Sequence, residues 1–147
     1  IIGLRFFTVY GPRGRPDMAP YKFIKSIMKN KTITKYGDGS SFRDYTYIDD
    51  IVQGIYSAIV LKNSEFKIYN LGNNNPITLK DFILLCEKIT NKKAKIKKVN
   101  IPIGDVKGTY ADLTKSKNDL LYKPKISFEE GMLKTYNWMI TNNRIKN

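Results

Sequence analysis

A mixed α/β body is the fold class this sequence predicts, on three observations. A β-branched and aromatic run over residues 2–10 stops at Gly11-Pro12-Arg13-Gly14-Arg15-Pro16-Asp17, as a buried strand stops at a loop. Beyond it, apolar residues at helical spacing alternate with short extended pieces. Two Ser/Thr-x-x-Asp/Glu signatures, Thr78–Asp81 and Ser127–Glu130, stand just before helical runs. At 147 residues the chain is long enough for one domain with a real core and not comfortably long enough for two.

The elements follow in order. Residues 2–10 read as one near-continuous apolar strand, of the kind buried on both faces of a parallel sheet. Pro20 suits the first turn of a helix over 20–30, with Phe23, Ile24, Ile27 and Met28 facing inward. A short strand over 33–36 runs into the Gly37-Asp38-Gly39 turn, and 45–48 is another extended piece. Asp49 or Asp50 is placed to cap a helix over 50–62 and to complement its dipole, with Ile51, Ile55, Ala58 and Ile59 as its core stripe. Residues 67–71 alternate as a strand, 73–76 form a loop, and Thr78 opens a helix over 79–91. An edge strand over 95–99 precedes a loop over 102–107. Asp112 or Thr114 starts a short helix that ends near Tyr122, ahead of Pro124. Ser127 caps a last helix running to about residue 142, with Met132, Tyr136 and Met139 inside.

Composition narrows the chemistry. There is no histidine, and the single cysteine, Cys86, sits in a helical apolar run as a small core residue. The common nucleophile–base pairs and zinc sites therefore lack their groups. One cysteine also fits a reducing, cytoplasmic setting, and no apolar run approaches the ~20 residues of a membrane span. The net charge of +13 raises nucleic acid as a partner, but only five of the 26 cations are arginine, and the lysines are spread along helices and loops. Such a surface binds polyanions weakly; specific nucleic-acid recognition is the least favoured reading.

Arginine after a strand end is suited to a bidentate hold on phosphate or carboxylate, and ligands of open α/β sheets sit at such ends. Arg13 and Arg15 occupy that position, with Asp17 as an alternative ion-pair partner. A second cluster, Tyr36-Gly37-Asp38-Gly39-Ser40-Ser41-Phe42-Arg43-Asp44-Tyr45-Thr46-Tyr47-Ile48-Asp49-Asp50, places one more arginine after a Gly-rich turn. Tyr36 there reads equally as core, and Arg43 as a surface partner of Asp44 or Asp49. A third piece, Pro102-Ile103-Gly104-Asp105-Val106, ends in an acid that is a turn aspartate on its own terms.

Together, in this order and with Tyr69-Asn70-Leu71-Gly72 between them, these segments resemble the C-terminal half of the extended short-chain dehydrogenase/reductases, the NAD-dependent nucleotide-sugar epimerases and dehydratases. The resemblance covers essentially the whole chain. It implies the last part of a Rossmann-type doubly wound sheet plus a small mixed α/β substrate-binding domain. Residues 1–31 would give the last sheet strand, the sugar-binding loop and a helix, and 32–147 the nucleotide-sugar-binding part. It implies NAD as cofactor and a UDP-sugar as partner, with Thr8, Arg15 and Asp17 toward the sugar, Tyr36 near the uracil, Arg43 on the diphosphate and Asp105 on the ribose. Phe6 and Val9 would lie beside the nicotinamide. Gly14-Arg15-Pro16-Asp17-Met18-Ala19 is most similar to the UDP-glucuronate 4-epimerase branch, where the arginine matching Arg15 and the threonine matching Thr8 grip the hexuronate carboxylate.

Two departures accompany the resemblance. Many relatives hold the phosphates with an arginine about three residues before the ribose acid, where this chain has Ile101-Pro102-Ile103; Arg43 then acts alone, or Lys98 or Lys107 substitutes. No Gly-x-Gly-x-x-Gly cradle occurs, and Tyr21-x-x-x-Lys25 lies on the helix after the sugar loop, where the catalytic pair does not belong. The chain thus supplies binding groups and no catalytic or metal-ligating ones. A strand at its very start suggests a larger fold, whose NAD-binding half is a separate or preceding segment. The half-enzyme alone would be inactive. A sibling epimerase or 4,6-dehydratase, and a non-catalytic remnant or split-gene subunit, remain as alternatives.

Overall fold

The chain alternates between strand and helix because its apolar spacing switches between periods of two and 3.6. In the computed structural model, which describes residues 1–62 and 65–145, eight strands and five helices are laid out in chain order. They are β1 (Ile2–Phe6), β2 (Thr8–Tyr10), α1 (Ala19–Met28), β3 (Thr32–Tyr36), β4 (Phe42–Arg43), β5 (Tyr45–Tyr47) and α2 (Ile48–Val60). There follow β6 (Lys67–Leu71), β7 (Ile77–Thr78), α3 (Leu79–Thr90), β8 (Lys95–Val99), α4 (Thr114–Leu120) and α5 (Phe128–Thr141). Positions 63, 64, 146 and 147 of the 32–147 unit lie outside the described residues. None of the described helices is long and apolar enough to cross a membrane.

The strands pair two by two. β1 runs parallel to β6, β2 to β5 and β3 to β8, while β4 and β7 are antiparallel. The expected single strand over 2–10 is two strands, because the chain changes partner at Phe7. Its amide reaches back to the Leu71 carbonyl at 3.0 Å, and Thr8 then registers on Tyr45. Nor is this strand buried on both faces. No residue of β1 is buried and Phe6 is 51% exposed, since β6 is the one strand that pairs with it among the described residues.

Two hydrophobic cores result. One gathers α1, α3 and α5 around an aromatic cluster of Tyr10, Phe23, Tyr45, Phe82 and Phe128, with Ile24, Ile27, Cys86, Met132 and Met139. Phe23 stacks on Phe82 and Tyr45 on Phe128, with ring centroids 5.2 and 4.9 Å apart. The other joins Ile51 and Ala58 of α2 to Tyr69, Leu71, Leu113, Leu120 and Tyr122. Ile59, expected in the α2 stripe, is 75% exposed instead; Gly54 takes the inward position, so tight against Leu71 and Tyr122 that a methyl group there would overlap them.

The local start signals act as read for two helices. The Thr78 hydroxyl accepts the Asp81 amide at 3.0 Å, and Ser127 accepts that of Glu130 at 3.2 Å. At α4, Asp112 accepts the Thr114 amide at 2.9 Å. The α2 start differs from expectation. The helix begins at Ile48 with Tyr47 at its cap and no side-chain capping bond, so Asp49 and Asp50 fall in the first turn. Asp50 is buried, and its carboxylate accepts the amides of Lys125 and Ile126 at 2.9 and 3.1 Å, holding the approach to α5 rather than its own helix.

Asp44 does the same on a larger scale. It is fully buried between β4 and β5, and its two oxygens accept the amides of Asn73 at 2.8 Å and of Asn74 and Ala111 at 3.0 Å. Its own amide donates to the Thr109 hydroxyl at 3.1 Å. Gly72 makes the approach possible: a Cβ there would collide with Ala111 and crowd the carboxylate. Three amides left unsatisfied cost at least about 3 kcal/mol, so Asp44→Ala is expected to lower unfolding free energy by that amount or more in urea denaturation. Thr78→Ala, which removes one exposed cap, is expected to cost only about 1 kcal/mol in the same measurement.

Candidate functional site

Arg43 and Asp44 are neighbours on one extended segment, so their side chains leave on opposite faces. With Asp44 held inside, Arg43 is turned outward toward a cavity of about 250 Å³. Its floor is the back of the aromatic core, Phe23 and Tyr45, with Ile77 and Leu79 beside them. Polar groups rim it: Asp17 and Lys22 from the start of α1, Thr34 and Tyr36 from β3, Ser41, Arg43 and Asp105. A second cavity of about 250 Å³ shares Tyr36, Ser41 and Asp105 with the first and extends along Ser40, Ile101, Val106 and Lys107. The two form one elongated cleft hinged on Tyr36, Ser41 and Asp105.

Electrostatics give the cleft a direction. Arg43 donates from Nη2 to Asp105 Oδ1 at 2.9 Å and from Nη1 to the Phe42 carbonyl at 2.9 Å. The link spans 62 residues and draws the 102–107 loop over the cleft. At the rim, Arg15 grips Asp17 in a two-point fork, Nε to Oδ1 at 3.1 Å and Nη2 to Oδ2 at 2.6 Å. That hydrogen bond, backed by the charge, holds the Asp17 carboxyl below the usual carboxylate range and raises the arginine. Both side chains are well exposed, at 75% and 62%, so the pair is a weak constraint and the fork remains accessible. Burial pushes the Tyr45 phenol on the floor up to about 12, so it stays neutral and serves as wall.

Of the residues singled out in the sequence, Asp17, Tyr36, Arg43 and Asp105 line the first cavity together. Arg15 reaches it only through Asp17. Thr8 stands half-buried on β2 beside Tyr45, Val9 packs on the second core, and Phe6 is exposed at the end of β1; none of the three lines the cleft. Lys107, one of the two possible stand-ins for the missing arginine, lines the second cavity, and Lys98 lines neither. Sequence reasoning missed Lys22 and Thr34, which belong to no motif, and Ser41, which the second cluster contains but to which it gave no role. It also missed the role of Asp44, for which the one local signal was an acid directly after a site arginine.

Three cations, two carboxylates, hydroxyls and a half-exposed tyrosine ring suit an anionic ligand with a ring at one end. The chain has no histidine, and Cys86 is fully buried with its thiol raised by desolvation, so neither residue type lines the cleft. No cluster of three metal-ligating side chains occurs among the described residues.

Comparison with known proteins gives this geometry a family. The NAD dependent epimerase/dehydratase family matches residues 1–72. "Uncharacterized protein MJ1055" of Methanocaldococcus jannaschii is 53% identical over 142 residues, 97% of this chain and 43% of its own length. The UDP-glucuronate 4-epimerase of Thermodesulfobacterium geofontis is 47% identical over 136 residues, 92% of this chain and 42% of its own. Among solved structures, the UDP-glucuronic acid 4-epimerase of Bacillus cereus in complex with UDP-glucuronic acid and NAD superposes with a TM-score of 0.89 at 37% identity, over 95% of this chain and 45% of that one. The chain spans less than half the length of the relatives it matches. The chain belongs to the NAD dependent epimerase/dehydratase family, whose match takes in the opening strand, the arginine loop and the Arg43 segment.

Proposed function

We propose that these residues are the nucleotide-sugar-holding part of an NAD-dependent 4-epimerase that interconverts UDP-glucuronate and UDP-galacturonate in the cytoplasm. One observation carries the reading: Tyr36, Arg43, Ser41 and Asp105 converge on a single cleft from segments up to 69 residues apart, with Lys22 and Lys107 in its two lobes. In this reading the Tyr36 ring packs on uracil, Asp105 accepts from the ribose hydroxyls, and Arg43, aided by Lys107, neutralises the diphosphate. Arg15 and Thr8 face the hexuronate carboxylate, and Asp17 fills the Arg15 fork until that carboxylate arrives. Residues 1–31 then carry the sugar end and 32–147 the nucleotide end.

NAD does not find its cradle in this chain. The sequence has no Gly-x-Gly-x-x-Gly loop, and the groups offered toward a nicotinamide are the exposed ring of Phe6 and the half-buried Val9. The chain's own residues bind and orient; the phosphate cradle and the proton-removing tyrosine belong to a dinucleotide-binding half in the same or another polypeptide. A sibling UDP-sugar epimerase would share the Arg43–Asp105 end and differ at the sugar end.

Calorimetric titration of the chain with UDP, UDP-glucose and UDP-glucuronate tests this. All three are expected to bind, UDP-glucuronate more tightly than UDP-glucose, with no epimerisation by the chain alone. Arg43→Ala is expected to weaken all three by roughly tenfold or more, the worth of about 1.5–3 kcal/mol for a charged hydrogen bond. Arg15→Ala is expected to remove only the preference for the uronate. Absence of UDP binding, or an Arg43→Ala chain that binds as the parent does, would sink the proposal.

A further inference from the structure

Lysines that stand dispersed along the sequence are gathered by the fold. Residues 18–37 contain five lysines and residues 88–104 six, and neither stretch holds an aspartate or glutamate. The two stretches meet: β3 pairs with β8 in parallel over five residues, and α1 packs on α3. Side chains alternate between the faces of a strand, and partners in register share a face. Ile33 and Ile96 take one face, with Ile33 buried in the first core. Thr34 and Tyr36 take the other and line the cleft. Lys97 and Val99 beside them, and Lys95 beside Thr32, therefore look the same way. Lys95 and Lys97 are exposed, and among the described residues neither has an acidic partner. Lys88 and Lys93 of the same run, by contrast, are held by Glu129 and Glu87.

The arginines of the site supply little long-range field. Arg43 is bonded to Asp105 and Arg15 to Asp17, and the pull of such a neutral pair fades with distance faster than that of a net charge. Lys22 and Lys107 remain in the two lobes. A row of unneutralised cations beside the cleft has the reach that the pairs lack, and one sign of charge along a cleft raises the rate at which the opposite charge arrives. We infer that Lys95 and Lys97 form a capture strip, which draws an anionic, diphosphate-bearing ligand along the β3–β8 face into the cleft. The strip sets how fast the ligand binds, not how long it stays. This rests on the functional reading above, in which the cleft holds a UDP-sugar. Among the described residues β8 has one strand partner, and lysines on such an edge also discourage pairing with another chain. Guarding an edge needs charge of either sign, whereas capture needs it positive.

Charge reversal separates the two roles. Lys95→Glu with Lys97→Glu keeps the edge charged and inverts the field. Lys115→Glu with Lys117→Glu makes the same change of net charge on α4, which packs on β6 and α2 instead. NMR line shapes of the Tyr36 and Ser41 amides, followed during titration of the 147-residue chain, give association and dissociation rates for UDP-glucuronate and for uncharged uridine. At about 0.01 M salt, where fields reach about 30 Å, the β8 variant is expected to take up UDP-glucuronate about tenfold more slowly than the parent, with the dissociation rate unchanged. At about 1 M salt, where they reach about 3 Å, the difference is expected to vanish. Uridine rates are expected to stay as in the parent, which shows that the variant folds and keeps its cleft. The α4 variant is expected to slow by no more than about twofold. Should the glutamates alter uridine binding, Lys95→Gln with Lys97→Gln repeats the measurement with a milder change and an expected slowing of about threefold. A β8 variant that takes up UDP-glucuronate at the parent's rate overturns the inference and leaves the lysines as edge guards. An equal loss in the α4 variant overturns it in favour of net charge. A parent chain that binds neither ligand refutes the functional reading and this inference with it, whereas one that binds both at rates blind to the β8 lysines refutes this inference alone.

Discussion

The Asp44 carboxylate is the constraint on which the rest of the structure depends. Three stretches that are remote in sequence, around residues 44, 73 and 110, meet at its two oxygens. A carboxylate is well fitted to this work, because it only accepts and can serve several backbone donors where loops cross without forming a sheet. Burying it without those donors would be costly, so the fold that supplies them is selected over looser alternatives. Asp50 repeats the device with the 125–126 segment. The two aspartates tie the loops between α2 and α5 to the paired strands, where backbone ladders are only two to five residues long.

The site inherits its geometry from that tie. Fixing Asp44 inward fixes Arg43 outward, and the Arg43–Asp105 bond then carries the 102–107 loop to the cleft. Removing the buried acid would therefore disturb an arginine it never touches. The ion pair at the rim plays a different part. Arg15 and Asp17 are exposed and adjacent, so their fork opens at little cost, which suits the proposed exchange of one carboxylate for another. Under the proposed function, the half-buried Arg43 anchors one end of the cleft, while the exposed Arg15–Asp17 pair leaves the other adaptable.

What the sequence made legible was local or carried by resemblance. The Thr78 and Ser127 caps rest on contacts three residues apart, and both formed. The helices with a clear inward stripe, α1 and α3, lie within two residues of their expected bounds. The residues of the cleft were found through segments whose order matched a family, not through any spacing that forces a cleft. What stayed illegible depends on distance. Asp50 looked like a helix cap because its true donors are 75 and 76 residues away. The two-residue strands β4 and β7 are too short to show a period. The break at Phe7 arises because its neighbours pair with different strands, which no property of a nine-residue apolar run encodes.

Hydrophobic patterning reports that a side chain will be covered, not what will cover it. The strand over 2–10 reads as buried on both faces, and Ile59 reads as part of the α2 core, yet no residue of β1 is buried and Ile59 stands open to solvent among these residues. The same periodicity that placed Ile51 and Ala58 correctly also counted Ile59, because a helix with two apolar faces gives a stripe wider than one contact. Those two misplacements coincide on adjacent elements, α2 packed on β1. A random error of sequence reasoning would scatter. Both errors lie on one surface, where the apolar pattern of β1 and α2 exceeds the burial that the described residues supply.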